Sequence, residues 1–209
     1  MPFVALDWLK DHVEVVPGTD IKQLSYDLVK VGLEEEAIHP ASVIGPLVAG
    51  KVLTLDAKEQ SNGKVINYCR VDVGEFNDRP GEGKEPSELP SRGIICGAHN
   101  FKVGDLVVVS LPGAVLPGDF QIAARKTYGH ISDGMICSQR ELGIGEDHDG
   151  IIVLEKLLPE KAAAGELPAP GESVIELLGL GEETLEINIT PDRGYCFAMR
   201  GVGREYAHS

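Results

Sequence analysis

His130, Ser132 and Asp133 are the residue types that hydrolases combine in a catalytic triad, and they stand almost side by side. A triad requires three side chains that converge in space, and adjacency along one short segment does not provide this. Serine and aspartate in a turn more often hydrogen-bond their own backbone. We therefore predict that Ser132 and Asp133 lie in a turn and that the chain contains no catalytic residue.

Metal binding is a second chemistry to weigh, because His148 stands between Asp147 and Asp149 in an acidic glycine loop. Three consecutive side chains point in different directions, so an Asx turn explains this loop better than a metal site does. The sequence also contains no glycine-rich phosphate loop of the P-loop type. We predict no metal site and no nucleotide-phosphate site.

The cysteines Cys69, Cys96, Cys137 and Cys196 are widely spaced and form no Cys-x-x-Cys motif. This spacing favours reduced core thiols over a metal site or a disulfide framework. Charged residues within the first turns of the chain argue against a signal peptide. Together these features predict a cytoplasmic protein.

Binding of single-stranded RNA is a third chemistry, and it needs basic and aromatic side chains on one surface. Arg125, Lys126 and Tyr128 supply these types in one segment, and Asn100 and Lys102 stand in a neighbouring predicted loop. These five residues are our candidates for an RNA contact. Arg125 and Lys126 could equally be ordinary solvated charges, and this alternative stays open.

The charge of the chain restricts its partners. The 209 residues carry a net charge of −14, which argues against a generally basic nucleic-acid binder. Residues 46–151 hold 11 Lys and Arg against 15 Asp and Glu, whereas the remainder holds 8 against 18. The middle therefore repels a polyanion less than its flanks do. No apolar run approaches the ~18 residues of a membrane span, and we predict neither a membrane nor a DNA partner.

Two helices and a strand are predicted before the middle of the chain. Apolar residues at helical spacing predict a short helix over 7–12. A second helix is predicted from an N-cap at Thr19 or Asp20 to a C-cap at Gly32, because one apolar stripe runs between them. Residues 33–38 are predicted to form a strand, and the acidic residues within it are predicted to face solvent.

Short apolar runs separated by turn residues predict β-strands in the middle of the chain. These runs are residues 47–55, 65–73, 94–96, 106–111 and 120–124. The turn at 61–63 predicts a hairpin, and residues 77–92 predict a solvated loop. Five short strands suit a small OB-type barrel, because closure removes the exposed strand edges of a flat sheet.

The remaining residues predict a mixture of elements with no further barrel strands. In chain order they are a strand over 152–158, an Ala/Pro/Gly linker over 161–170, a helical turn over 172–178, a strand over 184–190 and a helix over 194–208.

Many motifs, spread in one order along the chain, resemble a single family. They are Leu6-Asp7-Trp8-Leu9, Gly32-Leu33-Glu34, Ile95-Cys96-Gly97-Ala98-His99-Asn100, the segments 111–118, 132–138, 141–144, 146–150 and 185–191, Arg193, Arg200-Gly201-Val202 and Arg204-Glu205. The middle block resembles the EMAP-like tRNA-binding OB domain. The whole chain resembles the N-terminal region of the bacterial phenylalanyl-tRNA synthetase beta subunit. It departs from that family around residues 58–64, in a longer loop at 77–92, and at His99, where the family often has proline.

For the fold, the resemblance implies an α+β protein with an inserted all-β domain. The inserted domain would be a five-stranded OB-fold barrel over residues 46–151. Residues 1–45 and 152–192 would form a small discontinuous α+β domain, and residues 193–209 would begin the next domain.

For function, the resemblance implies a non-catalytic, tRNA-interacting module that supports attachment of phenylalanine to its tRNA. The family's Ser-x-Gly-Met motif places Ser132, Gly134 and Met135 at an RNA-facing loop. Gly134 could instead supply a positive φ angle, and Met135 could fill the end of the barrel. The parent synthetase, a heterotetramer of two alpha and two beta subunits, would use ATP and magnesium through its alpha subunit.

An alternative function belongs to another class. The acidic flanks could dock on the alpha subunit or on other beta-subunit domains, with little RNA contact by the barrel. Phosphate contacts make affinity fall with salt, whereas apolar docking does not, so salt dependence separates the two hypotheses. A free-standing tRNA chaperone is disfavoured by the flanking domain.

Overall fold

A computed structural model describes residues 2–59, 63, 65–78, 90–147 and 149–209. The predicted turn at 61–63 and loop at 77–92 lie largely outside these residues, as does His148. The chain divides into two compact units, Met1–Ala41 with Gly181–Ser209, and Ser42–Leu180. Within the described residues, no helix combines the length and the apolar character that crossing a membrane requires.

The described helices and strands fall into three stretches of the chain. The first 41 residues supply β1 (Phe3–Ala5), α1 (Leu6–Lys10), α2 (Ile21–Lys30) and β2 (Glu34–His39). Residues 42–180 supply β3 (Leu47–Glu59), β4 (Val65–Asp72), β5 (Arg92–Cys96), β6 (Leu106–Ser110), β7 (Val115–Leu116), β8 (Phe120–Gln121), β9 (Arg125–Thr127), β10 (His130–Ser132), β11 (Met135–Ile136), α3 (Leu154–Leu157) and α4 (Pro159–Ala164). The last residues supply β12 (Thr184–Asn188) and α5 (Met199–Tyr206).

In the unit formed by both ends of the chain, β1, β12 and β2 make an antiparallel sheet in that order. The predicted second helix is confirmed as α2. The Asp20 carboxylate accepts the Gln23 N–H at 2.8 Å as the N-cap. Gly32, at a φ of +82°, ends the helix in the left-handed conformation that favours glycine. The apolar stripe of α2 packs into a core with Leu9 and Leu185.

The last 17 residues, predicted to begin another domain, pack within this unit. Cys196, Val202 and Tyr206 are buried in the same core as α2 and β12. The predicted helix over 194–208 is divided, because a 3-10 segment, Pro191–Phe197, precedes α5. The assignment of these residues to a further domain stays a prediction.

In the second unit, a five-stranded antiparallel sheet has the order β11-β6-β3-β4-β5. The long strand β3 pairs with β4 on one edge and with β6 on the other. The sheet nearly closes, because the Asp133 N–H donates to the Gly93 carbonyl at 2.8 Å. The Ile95 N–H donates to the Ser132 hydroxyl at 3.0 Å beside it. The predicted five-stranded OB-type barrel is confirmed.

The fifth barrel strand differs from the prediction, which placed it at residues 120–124. In the structure the fifth strand is β11, whereas Phe120 and Gln121 form a small hairpin with β7. Both of these residues are exposed, so this part of the run does not contribute to the core. Gly134, at a φ of +132°, turns the chain into β11 instead.

The strand predicted over 152–158 is wrong. Val153 alone bridges the sheet, at Val107, and α3 follows it. Leu154 and Leu157 are three residues apart, so a helical turn brings both side chains to the core. A strand would instead direct these two side chains to opposite faces. The predicted linker over 161–170 is also partly helical, because Pro159 begins α4.

Residues 152–180 pack with the barrel, although the prediction grouped 152–192 with the start of the chain. Ile152, Leu154, Val174 and Leu180 share one buried cluster with Leu47 of β3. The boundary between the two compact units therefore falls after residue 180 in the sequence, and not after residue 151. Apolar contact with the barrel end accounts for this placement.

Candidate nucleic-acid interface

The β9–β10 hairpin carries four of the eight predicted RNA-binding residues, namely Arg125, Lys126, Tyr128 and Ser132. Tyr128 and Gly129 form its turn with φ angles of +51° and +81°, the backbone of a type I′ turn, whose twist suits a hairpin. Arg125 pairs with Ser132, and Lys126 pairs with Ile131. Since side chains alternate along a strand, Arg125 lies on one face of the hairpin and Lys126 on the other.

A concave site, here called the Phe120 hollow, lies on the Arg125 face of this hairpin. Its cavity volume is about 210 Å³, and its lining includes Ile95, Phe120, Arg125, Thr127, Ser132 and Met135. The Arg125 guanidinium lies 5.8 Å from the centre of the Phe120 ring, within reach of a cation–π interaction. The hollow thus combines an apolar floor, an exposed aromatic ring and one cation at the rim.

Ser132 and Gly134 have structural duties at this hollow. The Ser132 hydroxyl donates to the Gly134 carbonyl at 3.0 Å and accepts the Ile95 N–H at 3.0 Å. A Cβ atom on Gly134 would lie 2.9 Å from the Ser110 carbonyl oxygen. Met135 is half-buried and packs against the barrel core. Gly134 and Met135 therefore have structural roles in the barrel. Ser132, Gly134 and Met135 also line the hollow.

A second concave site, the Tyr128 hollow, adjoins the first. Its cavity volume is about 550 Å³, and it is lined by Val65, Ile66, Ile95, Gly97, His99 and Tyr128. Ile95 lines both hollows, so they lie side by side and share this residue of β5. The Tyr128 ring is 46% exposed at the rim.

A third concave site, the Glu141 hollow, has a different charge. Its volume is about 700 Å³, and its lining includes Gly97, Met135, Ser138, Arg140, Glu141 and Asp149. The Glu141 carboxylate accepts both the N–H and the hydroxyl of Ser138, at 2.7 and 2.8 Å. Two carboxylates against one guanidinium give this hollow an acidic lining.

Asn100 and Lys102 lie outside the two hollows that Ile95 and the hairpin form. The Asn100 side chain donates to the Ile151 carbonyl at 2.8 Å and accepts the Ile151 N–H at 3.0 Å. The Lys102 backbone N–H donates to the Asp105 carboxylate at 3.1 Å. Asn100 therefore fastens its loop to the backbone at residue 151, and the structure gives its amide a fold-stabilising role.

We expect Asn100→Ala to lower the free energy of unfolding by about 1–3 kcal/mol, because two hydrogen bonds to one backbone residue are lost. Chemical denaturation followed by circular dichroism measures this change. Lys102→Ala, on the same loop, is the control and should leave the midpoint unchanged. An unchanged Asn100→Ala midpoint would show that the amide does not hold the loop.

The three triad candidates do not converge. The His130 ring stacks on Tyr68 with ring centres 4.1 Å apart, and its Nε2 atom lies 3.0 Å from the Lys58 Nζ atom. Asp133 forms an ion pair with Arg92, and Ser132 bonds backbone groups. Lys58 and Tyr68 were not among the predicted site residues, because long-range strand pairing alone brings them to the hairpin.

The four cysteines lie in the environment of unreactive core thiols. All four cysteines are free and buried. Burial raises the pKa of Cys69 and Cys137 to about 12 and that of Cys96 to about 11, so these thiols stay protonated at neutral pH. In the part of the chain that the structure covers, no three His, Cys, Asp or Glu residues cluster to hold a metal ion.

Comparison with known proteins assigns this barrel to a family. The family model "Putative tRNA binding domain" matches residues 47–163. Over its length the chain is similar to phenylalanine–tRNA ligase beta subunits, with 56% identity to that of Bifidobacterium longum, 50% to that of Thermobifida fusca and 49% to that of Leifsonia xyli. These alignments cover 100%, 98% and 99% of this chain but 24%, 22% and 24% of the relatives.

The chain therefore spans about a quarter of the length of the curated relatives it matches. The matched region, 47–163, contains β3 to β11 and both hollows on the hairpin side. The resemblance to a phenylalanyl-tRNA synthetase beta subunit with a tRNA-binding OB domain is confirmed. The chain belongs to the tRNA-binding-domain family, in the form that phenylalanine–tRNA ligase beta subunits carry.

Proposed function

We propose that this chain is a non-catalytic, tRNA-interacting module of a phenylalanine–tRNA ligase beta subunit. The proposal rests on one observation, which is that residue types suited to RNA binding lie together inside the region that matches the family model. The family match over residues 47–163 contains a hollow at which Arg125, an exposed aromatic ring and the Ser-x-Gly-Met residues meet. An OB barrel with such a surface suits RNA, which these folds bind by stacking and by basic side chains.

We place the parent protein in the cytoplasm as a heterotetramer of two alpha and two beta subunits. In this proposal the alpha subunit carries out the ATP- and magnesium-dependent attachment of phenylalanine to its tRNA. The barrel would be an insertion in a small α+β domain, and the residues after 192 would lead into further beta-subunit domains. The relatives' names and their fourfold greater length support this arrangement.

Two neighbouring cations on β9 provide the test of this proposal. We expect Arg125→Ala to weaken binding of fluorescently labelled tRNA about tenfold, because the guanidinium at the hollow is a charge-assisted donor to phosphate. Lys126 carries the same charge one residue away on the opposite face of the hairpin. Lys126→Ala is therefore the matched control and should change affinity less than about threefold, as a non-specific charge effect.

Anisotropy titrations of the two variants and the original protein, at one salt concentration, measure these effects. Both side chains are exposed, so neither substitution should alter the unfolding midpoint. Equal losses for Arg125→Ala and Lys126→Ala would contradict a site on the Arg125 face and leave only diffuse electrostatic attraction.

A second candidate function is docking to another part of the synthetase, and one observation favours it. The unit formed by the two chain ends exposes large apolar side chains, including Trp8 at 66%, Tyr26 at 63% and Phe197 at 64%. Side chains of this kind are enriched at protein interfaces. Docking through them would be insensitive to salt, whereas RNA binding by the barrel would weaken as salt rises.

A further inference from the structure

We infer that the barrel binds unpaired RNA, with one base in the Phe120 hollow and the next base in the Tyr128 hollow. The inference rests on the proposed function and specifies its ligand. It assigns the contact to two consecutive single-stranded nucleotides, in preference to the surface of a double helix.

The first support is the pair of exposed aromatic rings at the two hollows. Phe120 is 44% exposed and Tyr128 is 46% exposed, although both belong to a barrel that buries most of its large apolar residues. Each ring stands in the lining of its own hollow. An exposed ring beside a concave apolar surface can stack on a nucleobase, and such stacking tolerates any base.

The second support is the connection between the hollows. Ile95 lines both of them, so the two hollows are neighbours that share one residue of β5. Two bases that leave a common backbone could therefore enter neighbouring hollows on either side of Ile95. The bases of a continuous duplex remain stacked on one another and cannot enter separate hollows.

The third support is the distribution of charge around Ile95. Arg125 lines the Phe120 hollow, and Lys58 reaches the hairpin at His130. The Glu141 hollow, which Ile95 also lines, carries Glu141 and Asp149 instead. A phosphate backbone is thus attracted along the hairpin and repelled from the Glu141 hollow. This charge distribution favours the Phe120 and Tyr128 hollows over the Glu141 hollow as the place of the RNA.

The charge of the chain determines which interaction supplies most of the affinity for RNA. The chain has a net charge of −14, and the residues that the structure describes place few basic groups near the site, so little free energy comes from releasing counterions. Stacking must then supply much of the affinity. Loss of a stacking ring should therefore weaken binding at least as much as loss of a nearby charge.

The test uses the 209-residue chain and three labelled probes: intact tRNA, a short mixed-sequence RNA single strand, and the same strand annealed to its complement. Phe120→Leu keeps apolar volume but removes the ring. Tyr128→Asn removes the other ring and keeps a residue that type I′ turns favour. Tyr26→Ala, an exposed tyrosine outside the barrel unit, is the control.

We expect the single strand to bind and the duplex to bind at least tenfold more weakly. Phe120→Leu and Tyr128→Asn should each weaken single-strand binding about tenfold, while Tyr26→Ala leaves it unchanged. If tRNA binds but the duplex matches the single strand, or if neither ring matters, the inference is overturned and the proposed function stands. If no probe binds, including tRNA, the proposed function itself fails.

Discussion

Gly134→Ala is expected to destabilise the barrel unit by about 2–6 kcal/mol. Gly134 has a φ of +132°, and a Cβ there would lie 2.9 Å from the Ser110 carbonyl oxygen. Backbone strain of this kind costs about 1–3 kcal/mol, and forcing an atom into filled space costs a similar amount. Because Gly134 immediately precedes β11, the strand that completes the sheet, the loss should appear as reduced global stability of this unit.

Denaturant unfolding of Gly134→Ala, with Gly118→Ala as its control, measures this effect. Gly118 also has a positive φ, of +79°, but a Cβ there would meet no atom within 4 Å. The difference between the two variants therefore reports the contact with Ser110 together with the difference in backbone strain between φ angles of +132° and +79°. Equal destabilisation of both would show that conformational strain alone, and no steric contact, makes glycine necessary at residue 134.

Leu28→Ala is expected to lower the free energy of unfolding of the other unit by about 2–5 kcal/mol. Leu28 is completely buried in α2 among the core residues that include Leu9 and Leu185. Truncating a buried leucine removes apolar contacts and leaves a cavity, and this range is usual for such a change. The proposed RNA site lies wholly within residues 42–180, so tRNA affinity should be unchanged.

Val29→Ala, the next residue on α2, is the control because its side chain is 48% exposed. It should leave the unfolding midpoint nearly unchanged. Stability is measured by denaturation, and tRNA affinity by anisotropy, at a temperature where Leu28→Ala remains folded. A large loss of tRNA affinity in Leu28→Ala would contradict the location of the site in the barrel alone.

Elements with strong local signals were predictable from the sequence. Helix α2 shows its cap at Asp20, its stop at Gly32 and an apolar stripe between them, and each of these signals acts within a few residues. Strands β3 and β4 carry long apolar runs bounded by turn residues, which identified them. Local propensity and packing agree in these elements, so the sequence pattern was sufficient.

Short apolar runs were not predictable, because their state depends on distant partners. Residues 152–158 form an apolar run that suits either a strand or a helix. Burial of Leu154 in the barrel core favours the helix α3. The run at 120–124 has strand-like residues but no place in the sheet. Met135 and Ile136 take that place, because the φ of Gly134 turns the chain towards β6.

The site was predictable in part. Arg125, Ser132 and Met135 stand close together in the sequence and meet at one hollow. The face of Lys126 depends on the register of the β9–β10 hairpin, which composition does not specify. The role of Asn100 depends on a contact 51 residues away.

Titration of labelled tRNA with this chain, by anisotropy at several salt concentrations, tests the central claim most directly. We expect dissociation constants in the micromolar range that rise with salt. A slope near that of two or three phosphate contacts, at about −0.7 to −0.9 per contact, is predicted on logarithmic axes. Absence of binding at the lowest salt concentration would contradict an RNA-binding barrel and move the function of the chain to docking.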